Sequence, residues 1–179
     1  MLLRAFQNQV LLQCEFMTLA TAEVNAAMQS QDTTRIFYGL QNLLNAAANI
    51  SKVLWGSGGR HADERREVRD SIGIHENSPL STVTMRNNFE HFDERLDGWW
   101  SASARHNSQD LCVMPKSSVT GIDPIDWFRV FDPITTDLYF WSQEFNIQDL
   151  VNEVQRILPK LREEANKPHW ETGPKKPKG

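Results

Sequence analysis

A chain of 179 residues, 40% hydrophobic and 23% charged, has the length and composition of one globular domain with a real core. It holds no apolar run of the ~18 to 20 residues that a membrane-spanning helix needs. Its net charge of -4 argues against a surface that grips nucleic acid everywhere, so any RNA contact has to come from a local basic site.

The opening stretch MLLRAFQNQVLLQCEF is broken by Arg4, Gln7, Asn8, Gln9 and Gln13. It does not read as a secretory leader, and a cytoplasmic location is expected. Residues 2–28 are instead a first helix, with Leu3, Phe6, Val10, Met17 and Val24 near helical spacing. Asp32 is the expected N-cap of a second helix, on which Ile36, Leu40, Leu43, Ala47, Ile50 and Leu54 recur at i, i+3/4, i+7. Gly56 ends it, and GSGGR reads as a helix exit: it does not join a strand to a helix, as a phosphate-cradling loop would. Residues 60–72 are charged and helix-prone with little apolar face, predicting a short solvated helix on which His61 is solvated as well.

HENSPLS around Pro79 is a turn, with Ser78 or Ser81 available as a cap. A helix is expected over 80–104, followed by a loop punctuated by Pro115, Gly121 and Pro124. DWFRVF, DPITTD and LYFWSQEFNI predict a β-hairpin whose Trp127, Phe131 and Trp141 cap an end of the helical bundle. Asp149 to Glu164 is the last helix, with Leu150, Val154, Ile157 and Leu161 on one face. The expected fold is mainly α: a bundle of four to five helices over residues 1–166 with a small hairpin before the last helix. Residues 167–179, with Lys175, Lys176 and Lys178, are expected to be a disordered basic tail. Cys14 and Cys112 form no CxxC pair, so reduced thiols are expected and a cysteine-based zinc site is not.

The segment TMRNNFEHFDERLDGWW carries the functional lead. Met85, Phe89, Phe92, Leu96 and Trp99 alternate at spacings of four and three, which makes one stripe toward the core. Asn87, His91 and Glu94 then point roughly 180° to 240° away, on a side shared with Leu80, Thr84 and Gly98. Arg86, Glu90, Asp93 and Asp97 form a third stripe. Arg86 lies about 140° from His91, so the two converge only if the arginine bends around or a second subunit contributes. A polar, weakly charged face of this kind suits a helix that packs across a two-fold axis.

RNNFEH at 86–91 resembles the RxxxxH signature of the HEPN superfamily (higher eukaryotes and prokaryotes nucleotide-binding domain), including a polar residue directly after the arginine. The resemblance implies a helical bundle, a homodimer with Arg86, Asn87 and His91 at the subunit cleft, and metal-independent endoribonuclease activity in a toxin–antitoxin or phage-defence setting. It implies no cofactor and no metal, RNA or a nucleotide as ligand, and an antitoxin protein as a possible partner. The chemistry fits the residue types. An imidazole titrates near neutrality and can take the 2′-OH proton or protonate the leaving 5′-oxygen. A guanidinium fork can hold the scissile phosphate and stabilise its added charge. Glu90, Glu94, His75 and Trp100 are candidate binding residues beside them; Trp100 faces away from the core stripe and can stack a base. Two other readings stay open. Arg86 and Glu90 at i, i+4 are also an ordinary surface ion pair, and some HEPN proteins are non-catalytic modules binding nucleotide, RNA or protein.

Overall fold

A computed structural model describes residues 2–56 and 58–168. The chain is mainly α, with a small sheet ahead of the last helix. Two long helices, α1 (Leu2–Gln29) and α2 (Thr33–Trp55), form an antiparallel hairpin. Asp32 caps α2, its side chain accepting from the Arg35 N–H at 3.0 Å. Gly56 closes α2 at φ 61°, where its N–H reaches the Lys52 carbonyl. Val10, Cys14, Met17 and Val24 of α1 pack against Leu40, Leu43, Leu44, Ala47 and Ile50 of α2, all buried. The helices approach closely at Gly39, where an added Cβ would sit 2.6 Å from a Val24 methyl. Burial, then the neighbouring Glu15, pushes the Cys14 thiol up to about 12. The last helix, α7 (Ile147–Asn166), lays Leu150, Val154, Ile157 and Leu161 on the same core.

The charged stretch after Gly56 is two helices, α3 (Arg60–Glu64) and α4 (Arg66–Ile72), divided at Arg65. It is also less solvated than expected, since Val68, Arg69 and Ile72 are buried. The Arg69 guanidinium donates to the carbonyls of Leu54 and Ala62 at 2.6 and 2.7 Å and to Glu76 Oε1 at 2.8 Å. Those two carbonyls are orphans of helix ends, and the buried arginine is their partner.

The expected single helix over 80–104 is also interrupted. Pro79–Ser81 form one 3-10 turn with Ser78 as its cap, and Leu80, expected on the outer side, is fully buried there. Helix α5 (Met85–Glu90) and helix α6 (Phe92–Ala102) then meet at His91, whose φ of -105° and ψ of 40° lie off the helical region. The bend breaks the 100° step of a helical wheel. Met85, Phe89 and Trp99 remain buried, but Leu96 is 40% exposed, which corrects its place on the core stripe. Asn88 is the inward polar residue instead, donating to Gln143 Oε1 at 2.8 Å and accepting from Arg95 Nε at 3.1 Å.

The expected hairpin is part of a four-stranded sheet of order β1–β2–β3–β4. Strands β2 (Val130–Phe131) and β3 (Asp137–Phe140) are antiparallel around the Asp132–Thr136 turn. Strand β4 (Gln143–Asn146) adds a second hairpin on β3, and β1 (Cys112–Val113) pairs with β2 in parallel. Alternation along β3 divides two cores: Leu138 and Phe140 join the helical one, while Tyr139 packs with Trp127 and Val130. Phe128 holds α6 to the sheet, its ring centroid 5.6 Å from that of Phe92 and 5.4 Å from that of Trp99. Of the expected tail, Lys167 pairs with Glu164 beside the end of α7. Lys175, Lys176 and Lys178 lie outside the described residues.

No described helix is long and apolar enough to cross a membrane. Among the described residues no group of three or more His, Cys, Asp or Glu could hold a metal ion.

Candidate functional site

The start of α5 faces the C-terminal end of α2 across an open groove of about 710 Å³. Lys52 and Trp55 of α2, Glu76 of the α4–α5 connection, and Thr84, Arg86 and Asn87 of the motif segment line it. Ser51 helps to set the distance between its walls, its hydroxyl donating to the Ser81 carbonyl at 3.1 Å.

Arg86 is largely sheltered, with 19% of its side chain exposed. Its Nη1 donates to Glu90 Oε1 at 2.8 Å and its Nη2 to Asn87 Oδ1 at 3.2 Å. Nε is shielded from solvent and has no acceptor among the described residues. The guanidinium is thus held in one orientation by its own helix, with Asn87 beside it on the groove wall. Glu76 is held on the other side. It accepts from Arg69, and Trp55 Nε1 donates to its second oxygen at 3.3 Å. The Arg69 hydrogen bond, then the Trp55 one, keeps its carboxyl below the usual glutamate range.

His91 is half exposed, with Nδ1 3.5 Å from Glu94 Oε1, and it is not among the residues lining the groove. The chain therefore brings Arg86, Asn87 and Glu90 together and leaves His91 with Glu94 at the bend between α5 and α6. His75 is exposed and away from the groove lining; its neighbour Glu76 is the residue of that loop that reaches it. Trp100 is 65% exposed, near the C-terminal end of α6. Its ring stacks on His106 with centroids 4.2 Å apart, and His106 Nε2 lies 2.9 Å from the Trp100 carbonyl. Trp100 and His106 form a separate patch, and neither lines the groove.

Lys52 and Trp55 are not expected at the site from the sequence, whereas the loop of His75, Glu76 and Asn77 is expected near the motif helix and reaches the groove through Glu76. One signal for the two α2 residues was available: Lys52 and Trp55 interrupt the otherwise apolar and small-residue end of α2 at i, i+3. Nothing local singles out Glu76 within its loop, since its place depends on a buried arginine seven residues earlier.

No family model matches the chain, and no curated protein or solved structure shows significant similarity to it.

Proposed function

We propose that this chain is a HEPN-like, metal-independent endoribonuclease that works as a homodimer. The observation that carries the reading is the pairing of Arg86 and Asn87 on the wall of an open groove, with an exposed His91 one helical turn further on. Arg86 would hold the scissile phosphate, with Asn87 fixing the guanidinium through its carbonyl oxygen. The ribose 2′-oxygen attacks phosphorus and the P–O5′ bond breaks, leaving a 2′,3′-cyclic phosphate. One imidazole takes the 2′-OH proton and one imidazolium supplies the proton to the 5′-oxygen. The second imidazole would come from a second copy, because one chain has a single His91 and keeps it outside the Arg86 groove.

Support for a second copy comes from the α1–α2 face, where Leu12, Phe16, Leu19 and Tyr38 are exposed apolar side chains beside a depression of about 540 Å³. On α2 the stripe Tyr38, Asn42, Asn45 and Asn49 leads at helical spacing to Lys52, so pairing through this face would set two grooves near one axis. An enzyme of this kind would serve as a toxin or phage-defence component held in check by an antitoxin protein.

Purified protein in EDTA should cleave single-stranded RNA to 2′,3′-cyclic phosphate ends, and His91→Ala should abolish this. Robust cleavage by His91→Ala removes His91 from the mechanism. A second reading, a non-catalytic module binding RNA, nucleotide or a protein partner, is favoured by one feature: Glu90 already neutralises Arg86 within its own chain. Under that reading neither the wild type nor Arg86→Ala cleaves, and Arg86→Ala loses binding.

A further inference from the structure

The α2 wall of the groove carries a second set of ligand groups. Lys52 is exposed and, among the described residues, forms no ion pair, whereas Arg86 and Glu76 both do. Its ammonium is therefore available to an anion without first displacing a carboxylate. Counted with their direct partners, the groove's charged groups are three cations, Lys52, Arg69 and Arg86, and two carboxylates, Glu76 and Glu90. On a chain of net charge -4 this is a local positive surplus, the kind of site a phosphate needs here.

Trp55 lies one turn further along the same helix and is half-buried. Its indole is tethered through a chain of hydrogen bonds. Nε1 donates to Glu76, Glu76 is gripped by Arg69, and Arg69 is itself 2% exposed and bonded to two carbonyls. The Arg69 guanidinium also stands 5.5 Å from the Trp55 ring centroid. An aromatic plane tethered in this way loses little rotamer freedom when a base stacks on it.

We infer that Lys52 and Trp55 receive one unpaired nucleotide, Lys52 holding its phosphate and Trp55 stacking its base, opposite Arg86 and Asn87. The substrate class that follows is single-stranded RNA, or an RNA loop, and not an A-form duplex. A groove of about 710 Å³ is in the size range of small-ligand sites and holds a splayed-out nucleotide. Bases stacked inside a duplex present no free face to an indole. This inference rests on the reading of the groove as an RNA site, but not on His91 or on cleavage.

The test uses the full chain and a fluorescein-labelled, 2′-O-methylated single-stranded decamer, which lacks the nucleophilic hydroxyl and cannot be cut by the proposed route. Anisotropy titrations over a salt series should show Lys52→Gln weakening binding about tenfold and lowering the salt slope by ~0.7, as expected for one lost contact to a single strand. Lys52→Arg should keep both. Trp55→Ala should weaken binding at least about tenfold and Trp55→Phe much less, in keeping with stacking. An unlabelled duplex of the same sequence should compete poorly. Lys52→Gln that binds like wild type with an unchanged salt slope, while Arg86→Ala weakens binding, overturns the inference and leaves the ribonuclease reading standing. Binding of the decamer that depends on Lys52 and Trp55, in a protein that cuts no RNA, supports the inference and removes the ribonuclease. Wild type that does not bind the decamer overturns the inference, whatever its cleavage activity.

Discussion

Replacing Arg69 by methionine tests whether a buried cation is the joint between the bundle and the groove. The guanidinium is 2% exposed and donates to the carbonyls of Leu54, in the last turn of α2, and Ala62, in α3. Each hydrogen bond from a charged donor contributes about 1.5–3 kcal/mol, so the two together are worth roughly 3–6 kcal/mol. Relief of the guanidinium's desolvation offsets part of this loss. The exposed Glu76 adds little, because solvent screens it. A net loss of about 3 kcal/mol is expected, which for a domain of this size lowers the melting temperature by roughly 6–12 °C. Urea titration followed by tryptophan fluorescence, with circular dichroism as the second probe, measures it. Arg69→Lys should fall between, since one ammonium on a shorter arm serves one carbonyl better than two. Without Arg69, the Glu76 carboxyl should move back up toward the ordinary glutamate range, which carboxyl NMR would follow. Arg69→Met within about 0.5 kcal/mol of wild type and with an unchanged m-value would refute the account.

Gly39→Ala should destabilise the chain although it favours helix. The propensity gain is about 1 kcal/mol, but the new methyl meets Val24 Cγ2 at 2.6 Å and the Ala20 carbonyl at 3.3 Å. Overpacking costs about 1–3 kcal/mol, so a net loss of up to ~2 kcal/mol is expected in denaturant, and a more stable variant would contradict the close α1–α2 approach. Asp132 provides a pH-dependent test. Its burial works to raise its pKa, yet backbone N–H groups of Lys116, Ile134 and Thr135 outweigh this and hold it below the usual aspartate range. A lowered folded-state pKa means stability that is fully present above the unfolded value and lost as pH falls through the folded one. Asp132→Asn should therefore flatten the acid limb of the stability curve below about pH 4, and an acid limb parallel to that of wild type would assign the loss to other carboxylates.

The amino-acid sequence determined those parts of this protein whose physics is local. Apolar spacing alone places α1, α2 and α7 to within a few residues, because a helix that buries one face has to repeat every 3.6 residues. The same holds for Asp32 as a cap, Gly56 as an exit and the Asp132–Thr136 turn, each set by the chemistry of a residue or two. Two single helices were expected where the chain makes four. The bends at Arg65 and His91 follow from packing that a helical wheel does not contain, as the exposed Leu96 and the buried Asn88 both record. Arg86, Asn87 and His91 were recognisable as a motif, since all three lie within six residues. Their surroundings were not, because the facing wall of the groove comes from α2, and Trp55 meets Glu76 across 21 residues of chain. The fold, and no local pattern, buries Arg69, leaves Lys52 without an ion-pair partner among the described residues and keeps His91 off the lining of the groove. Each of these depends on which groups arrive from elsewhere in the chain, and periodicity reports that a face is buried without saying what covers it.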